Sequence, residues 1–189
     1  MQAALHHVAL PLLQPLELEA REVLAQLRRG VEQLRHGRAT GAAAQLRRGV
    51  GLEQHVAAGA QRLAAERGVA LHTQVVDLGD YHLQPDSWDA VVIIFCHLPP
   101  ALRPRVNREV VAALRPGGHV LLEAYTPAQL GRGTGGPPVA ELLYTPAQLR
   151  EDFAGLALER LEERERDVVE GRLHTGRASV VQLVGHKPA

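Results

Sequence analysis

The sequence predicts an α/β fold: a mostly parallel sheet closed by an antiparallel hairpin at the C-terminus, incomplete at its N-terminal side and preceded by a helical arm. Three observations carry this. The run Ala90-Val91-Val92-Ile93-Ile94-Phe95 is unbroken and β-branched, which suits a strand buried on both faces of a parallel sheet. From residue 54 onward, helix-like and strand-like segments alternate with short connections, the pattern of βαβ units. The last two strand-like segments are joined by a link too short for a crossover, so they must be antiparallel.

Each element follows from local chemistry. Gln54 to Glu66 is rich in alanine and Gly68 stands where a C-cap belongs, so a helix is expected there. The segment ALHTQVVDL ends in valines and closes at Asp77 as a strand. After a polar turn at Pro85 comes the strand WDAVVIIFC, then an amphipathic helix over Leu102 to Leu114, the turn Arg115-Pro116-Gly117-Gly118, and a buried strand HVLLEAY. Two copies of YTPAQL, at Tyr125 to Leu130 and Tyr144 to Leu149, bracket a glycine loop from Gly131 to Gly136. In each copy Thr can cap a helix and Pro can open it. The loop contains GxGxG, yet two prolines follow it where a phosphate cradle needs a helix. A mobile lid or a plain surface loop are the two readings. The segment LALERLEERERDVVEG, a turn over Gly171 to Gly176, and ASVVQLVGHKP complete the hairpin.

The first 76 residues differ in composition. They contain no Asp, Asn, Lys, Ser, Ile, Phe, Tyr, Trp or Cys, and AQLRRGV occurs twice, at Ala25 and at Ala44. Leu16, Val23, Leu24, Leu27, Val31 and Leu34 recur at helical spacing. The expected division is a biased arm over residues 1–50, helical or poorly ordered, and an α/β domain over 51–189. Seven arginines lie between Arg21 and Arg48 against two glutamates. With no aromatic stacking groups among them, a solvated helix face is the better reading than a nucleic-acid patch. The 21 basic and 21 acidic residues cancel, so no global field draws nucleic acid or membrane. The first apolar run, VALPLLQPL, is too short to span a bilayer, and a cytoplasmic protein is expected. A single cysteine, Cys96, excludes an internal disulfide. The ten histidines show no HxH or HExxH spacing, and no metal site is expected.

Four segments in order resemble class I S-adenosylmethionine (SAM) dependent methyltransferases, most of all the small bacterial tellurite-resistance type. They are VVDL at Val75, WDAVVIIFCHLPP at Trp88, VVAALRPGGHVLLEAY at Val110, and the terminal hairpin. The resemblance implies a Rossmann-like sheet of strand order 3-2-1-4-5-7-6 and SAM as cofactor. Ligands of open α/β sheets sit beyond the carboxyl ends of the strands. By resemblance, Asp77 accepts from the adenine amino group, Leu78 offers its amide, and Phe95 and Cys96 line the pocket near the sulfonium. His97, Tyr125 and Arg177 are the substrate-side candidates. A Cys96–His97 nucleophile pair is disfavoured, because neighbours on a strand face opposite ways. Catalytic residues are not assigned.

The first strand, its GEGxGR-like turn and the acid ending the second strand, all expected of the family, do not appear in the sequence. SAM affinity is therefore expected to be low. The first reading is a methyltransferase by descent, with a small-molecule or oxyanion acceptor and no nucleic-acid or membrane partner. The second is a non-catalytic remnant, or an interaction module forming a homodimer through the N-terminal helices. A nicotinamide-dependent oxidoreductase is disfavoured, since its dinucleotide fingerprint is missing.

Overall fold

The computed structural model of the chain describes residues 4–6, 59–68, 70–169 and 175–189. The chain divides into two compact units, Ala4–Val76 and Asp77–Ala189. That division falls where the composition changes. The boundary expected at residue 50 and the helices expected before it lie outside the described residues.

In the first unit, residues 59–66 are helical (α1) and Gly68 follows at φ 66°, the left-handed C-terminal position expected of it. Strand β1 (Ala4–His6) pairs with β2 (Val75–Asp77) in a two-stranded sheet. The strand expected across ALHTQVVDL is thus confined to its last three residues before the turn at Leu78.

The second unit is built on β3 (Trp88–Ile94), β4 (Leu114–Tyr125), β5 (Ala157–Val169) and β6 (Thr175–His186), in the order β3-β4-β6-β5. This is the order 4-5-7-6 implied for the second half of the sheet. β3 and β4 are parallel, and β6 runs antiparallel to both its neighbours. The run Val120 to Tyr125 is buried on both faces, as is Ala178 to Gly185. β3 is less covered than expected. Val91 and Ile93 are buried, whereas Val92 and Ile94 are half-buried. Among the described residues, β3 is the end strand of this sheet and pairs only with β4.

Helix α2 (Arg103–Ala113) buries Val106, Val110 and Ala113, the apolar stripe of its sequence. The turn Arg115–Gly118 loops out within β4, since Trp88 pairs with Leu114 but Ala90 with His119. A Cβ on Gly118 would lie 2.9 Å from the Arg115 carbonyl and 3.0 Å from that of Trp88, so only glycine fits there. Gly117 N donates to Lys187 O, and Lys187 N to Gly118 O, which ties the C-terminal segment to this turn.

The two YTPAQL copies fold differently. The second opens α3 (Pro146–Asp152) with a complete capping box between Thr145 and Gln148. The first gives only a 3-10 turn, Pro127–Gln129, and Thr126 makes no cap. The Thr126 hydroxyl instead bonds Glu163 and Ser179, and Gln129 bonds Thr134, Gly135 and the amide of Ser179. Tertiary partners on the neighbouring strands take the groups that would otherwise cap the turn.

Strand β5 alternates charges along its length and is mostly exposed. Charged side chains on an edge strand discourage pairing with another chain. No helix among the described residues is long and apolar enough to cross a membrane.

Candidate active site at the strand ends

The parallel pair β3 and β4 ends in an aromatic and imidazole cluster. Phe95 follows β3 with φ 49° and its N–H donates to Glu123 O. A phenylalanine in the left-handed region is strained, and such strain collects at functional positions. Its ring stacks on Tyr125 at 4.5 Å between centroids. His97 stacks on Tyr125 at 5.7 Å between centroids and meets the Tyr144 ring at a tilt of 56°, 5.3 Å away. Phe95 and Cys96, expected to line the pocket, and His97 and Tyr125, expected on the substrate side, are thus gathered at one end of the sheet.

The cluster is held by hydrogen bonds to backbone. His97 Nδ1–H donates to Leu142 O at 2.7 Å, and His97 Nε2 accepts from Tyr125 N at 3.3 Å. Burial holds the imidazole below its ordinary pKa, against the bond to Leu142 that favours the charged form. His97 is therefore a neutral group whose two nitrogens join the strand ends to the segment at Leu142. Cys96 is buried, and burial pushes its thiol far up. With the thiol protonated and both His97 nitrogens engaged elsewhere, no nucleophile–base pair exists here.

Tyr144 completes the arrangement. Its hydroxyl donates to Cys96 O at 2.9 Å and accepts from Leu98 N at 2.8 Å. Desolvation raises its pKa well above the ordinary phenol value. Tyr144 lies in a connection rather than at a strand end, and the repeat of Tyr-Thr-Pro-Ala-Gln-Leu is the sequence signal that marks it.

Beneath Tyr125, on the same face of β4, Glu123 is fully buried. It accepts from Arg166 Nη2 at 2.5 Å and from Gln182 Nε2 at 2.5 Å. The Arg166 guanidinium lies 5.8 Å from the Phe95 ring centroid. These three polar residues come from three strands, so spacing could not reveal them. A carboxylate inside the apolar run VLLEAY was the available sign, because a buried charge requires partners.

Asp77 and Leu78 sit at the end of β2. Asp77 is exposed, and its Oδ1 accepts from Gly79 N at 2.7 Å; its carbonyl accepts from the Asp80 and Tyr81 amides. Among the described residues its Oδ2 has no partner. Leu78 is buried, and its carbonyl accepts from Arg105 of α2. Arg177 is exposed on β6 and its guanidinium pairs with Glu165 at 3.1 Å. Among the described residues, its tie to the cluster is indirect. The Arg177 carbonyl accepts from Thr134 at 3.0 Å, and Thr134 belongs to the loop over Tyr125. That loop is pinned rather than loose. At Gly136, φ is 93° and a Cβ would lie 3.1 Å from the Tyr125 ring.

Residues 36–118 match the family model of a methyltransferase domain. The match starts inside the segment read as an arm. Among curated proteins, no sequence matches. Solved structures share the fold. TehB from Haemophilus influenzae aligns with a TM-score of 0.57 at 13% identity, covering 71% of this chain and 47% of its own. A structure described for the conversion of a disulfide bond into a thioacetal group in echinomycin biosynthesis aligns at 0.53 and 15%, covering 71% and 63%. A SAM-dependent methyltransferase from Methanosarcina mazei aligns at 0.51 and 14%, covering 70% and 77%. The chain spans less than two thirds of the first two. The domain match and the shared sheet together give this chain the fold of the class I SAM-dependent methyltransferases.

Proposed function

We propose that the chain is a SAM-dependent methyltransferase acting on a small molecule or an oxyanion. The observation that carries this reading is the Phe95–Tyr125–His97 cluster at the carboxyl ends of β3 and β4, where ligands of this sheet type bind. S-adenosylmethionine, when bound, supplies an electrophilic methyl group. The residues present fit it: the exposed Asp77 carboxylate would accept from the adenine amino group, and Leu78 would offer its amide. By resemblance, Phe95 and Cys96 at the end of β3 would line the pocket on the sulfonium side. Cys96 contributes volume and a carbonyl fixed by Tyr144.

The protein's own part is alignment and exclusion of water. The pinned glycine loop shields Tyr125. His97, with both nitrogens bound to backbone, positions the strand ends and does not take a proton. The acceptor must therefore arrive already nucleophilic, as a thiolate, an unprotonated amine or an oxyanion. Arg177, at the rim beside the loop, is the residue to attract an anionic acceptor if the Glu165 pairing yields. The test is to incubate the full chain with labelled SAM and acceptors of these three classes. Label transferred to one class supports the reading; hydrolysis or silence with all of them contradicts it.

A further inference from the structure

We infer that this chain carries a binding site for a divalent transition metal, of the zinc type, formed by His119, Glu159 and His186. It lies at the opposite end of β4 from the strand-end cluster, six residues before Tyr125, or about 20 Å along an extended strand. The site is separate from the proposed methyl-transfer chemistry and does not depend on it.

Three strands supply the ligands. His119 and His186 are direct partners across the antiparallel β4–β6 pair, and their rings lie 5.7 Å apart between centroids. Glu159 is brought to them by an irregularity in β5. Leu158 pairs with Gly185 and Arg160 with Val184, so Glu159 is an extra residue between them. A bulge of this kind re-aims a side chain. Its Oε1 lies 2.8 Å from His186 Nδ1 and 3.9 Å from His119 Nε2. The ligand atoms all fall within 4.8 Å of one another. Bonds of about 2.0–2.2 Å to zinc need a closer set, and half-exposed side chains can rotate inward to give it. Two imidazoles and one carboxylate, with a fourth position open to water, suit zinc and its neighbours better than calcium or magnesium. The adjacent cation, Lys187, is turned to Asp86 and to the Ala112 and Leu114 carbonyls, so it does not oppose a bound ion.

The spacing of the histidines gave no sign of this, because the three ligands are far apart in sequence and meet only through strand register. A metal here would clip β4, β5 and β6 together at their shared end.

The experiment is calorimetric titration of the full chain with zinc chloride alone, repeated on His119→Ala, His186→Ala and Glu159→Gln, with visible absorption of the cobalt(II) form as a second readout. The expected result is binding of one ion that weakens at least tenfold when either histidine is removed, with loss of the cobalt bands. Zinc should also raise the melting temperature of the unsubstituted chain and leave that of the His119→Ala/His186→Ala double variant unchanged. Equal zinc affinity in the double variant, or no binding by the unsubstituted chain at millimolar zinc, would overturn the assignment.

Discussion

Tyr144 shows how much one hydroxyl can hold. It bridges the Leu98 amide and the Cys96 carbonyl within a buried segment. Tyr144→Phe leaves both backbone groups without this partner, and such a loss costs about 1–3 kcal/mol. Urea denaturation should show that drop; an unchanged midpoint would mean that the two groups find other partners. His97 gives a pH dependence of defined sign. Its folded pKa is lowered by burial from the ordinary 6.5, so the unfolded chain takes up the proton first. Its contribution to stability is complete above the unfolded pKa and is lost as pH falls from there toward the folded value. His97→Asn keeps a donor toward Leu142 and cannot titrate. Stability of this variant, measured between about pH 5 and 6.5, should vary less with pH than that of the unsubstituted chain. An equal slope would assign the effect to other groups. At this scale the strand-end residues were readable from the sequence, because strand ends can be located by hydrophobic runs. Their bonding partners were not, since Leu142 and Tyr144 lie more than forty positions away from His97 and Leu98.

The elements depend on two buried polar ties that no sequence pattern announced. Arg103 of α2 and Asp152 of α3 pair at 2.7 Å with little exposure, and Asn107 donates to the same carboxylate oxygen at 3.0 Å. Asp152→Ala strands a buried guanidinium, and breaking such a pair costs about 3–5 kcal/mol. Chemical denaturation should register a loss of that size, and a change below 1 kcal/mol would show that Arg103 reaches water. The paired YTPAQL segments allow a sharper comparison. Thr145→Ala removes a working cap and should cost about 1 kcal/mol, whereas Thr126→Ala removes a bond network with Glu163 and Ser179 instead. Six identical residues that read as a helix in both places thus form a capped helix in one context and only a 3-10 turn in the other. The difference comes from β5 and β6, which supply partners to the first copy. Helix α2 and the β3–β4 core were legible because period and apolar run length are local signals. The half-burial of β3 was not, because it depends on which strands flank it.

For the whole molecule, the strand order β3-β4-β6-β5 is the feature that sequence and structure share most fully. A buried parallel run followed by an antiparallel hairpin allows few arrangements, and the resemblance selected one. What the sequence left open is the first unit, whose composition lacks the β-branched run of a central strand. The proposed function requires that the carboxyl ends of this sheet bind SAM, and the decisive measurement is calorimetric titration of SAM into the full chain and into Asp77→Asn. Asparagine keeps an oxygen for the Gly79 amide, so the turn survives while the outward acceptor is lost. The expected result is saturable binding with a dissociation constant above about 10 µM, weakened a further tenfold or more by the substitution. No saturable binding up to millimolar SAM would contradict it.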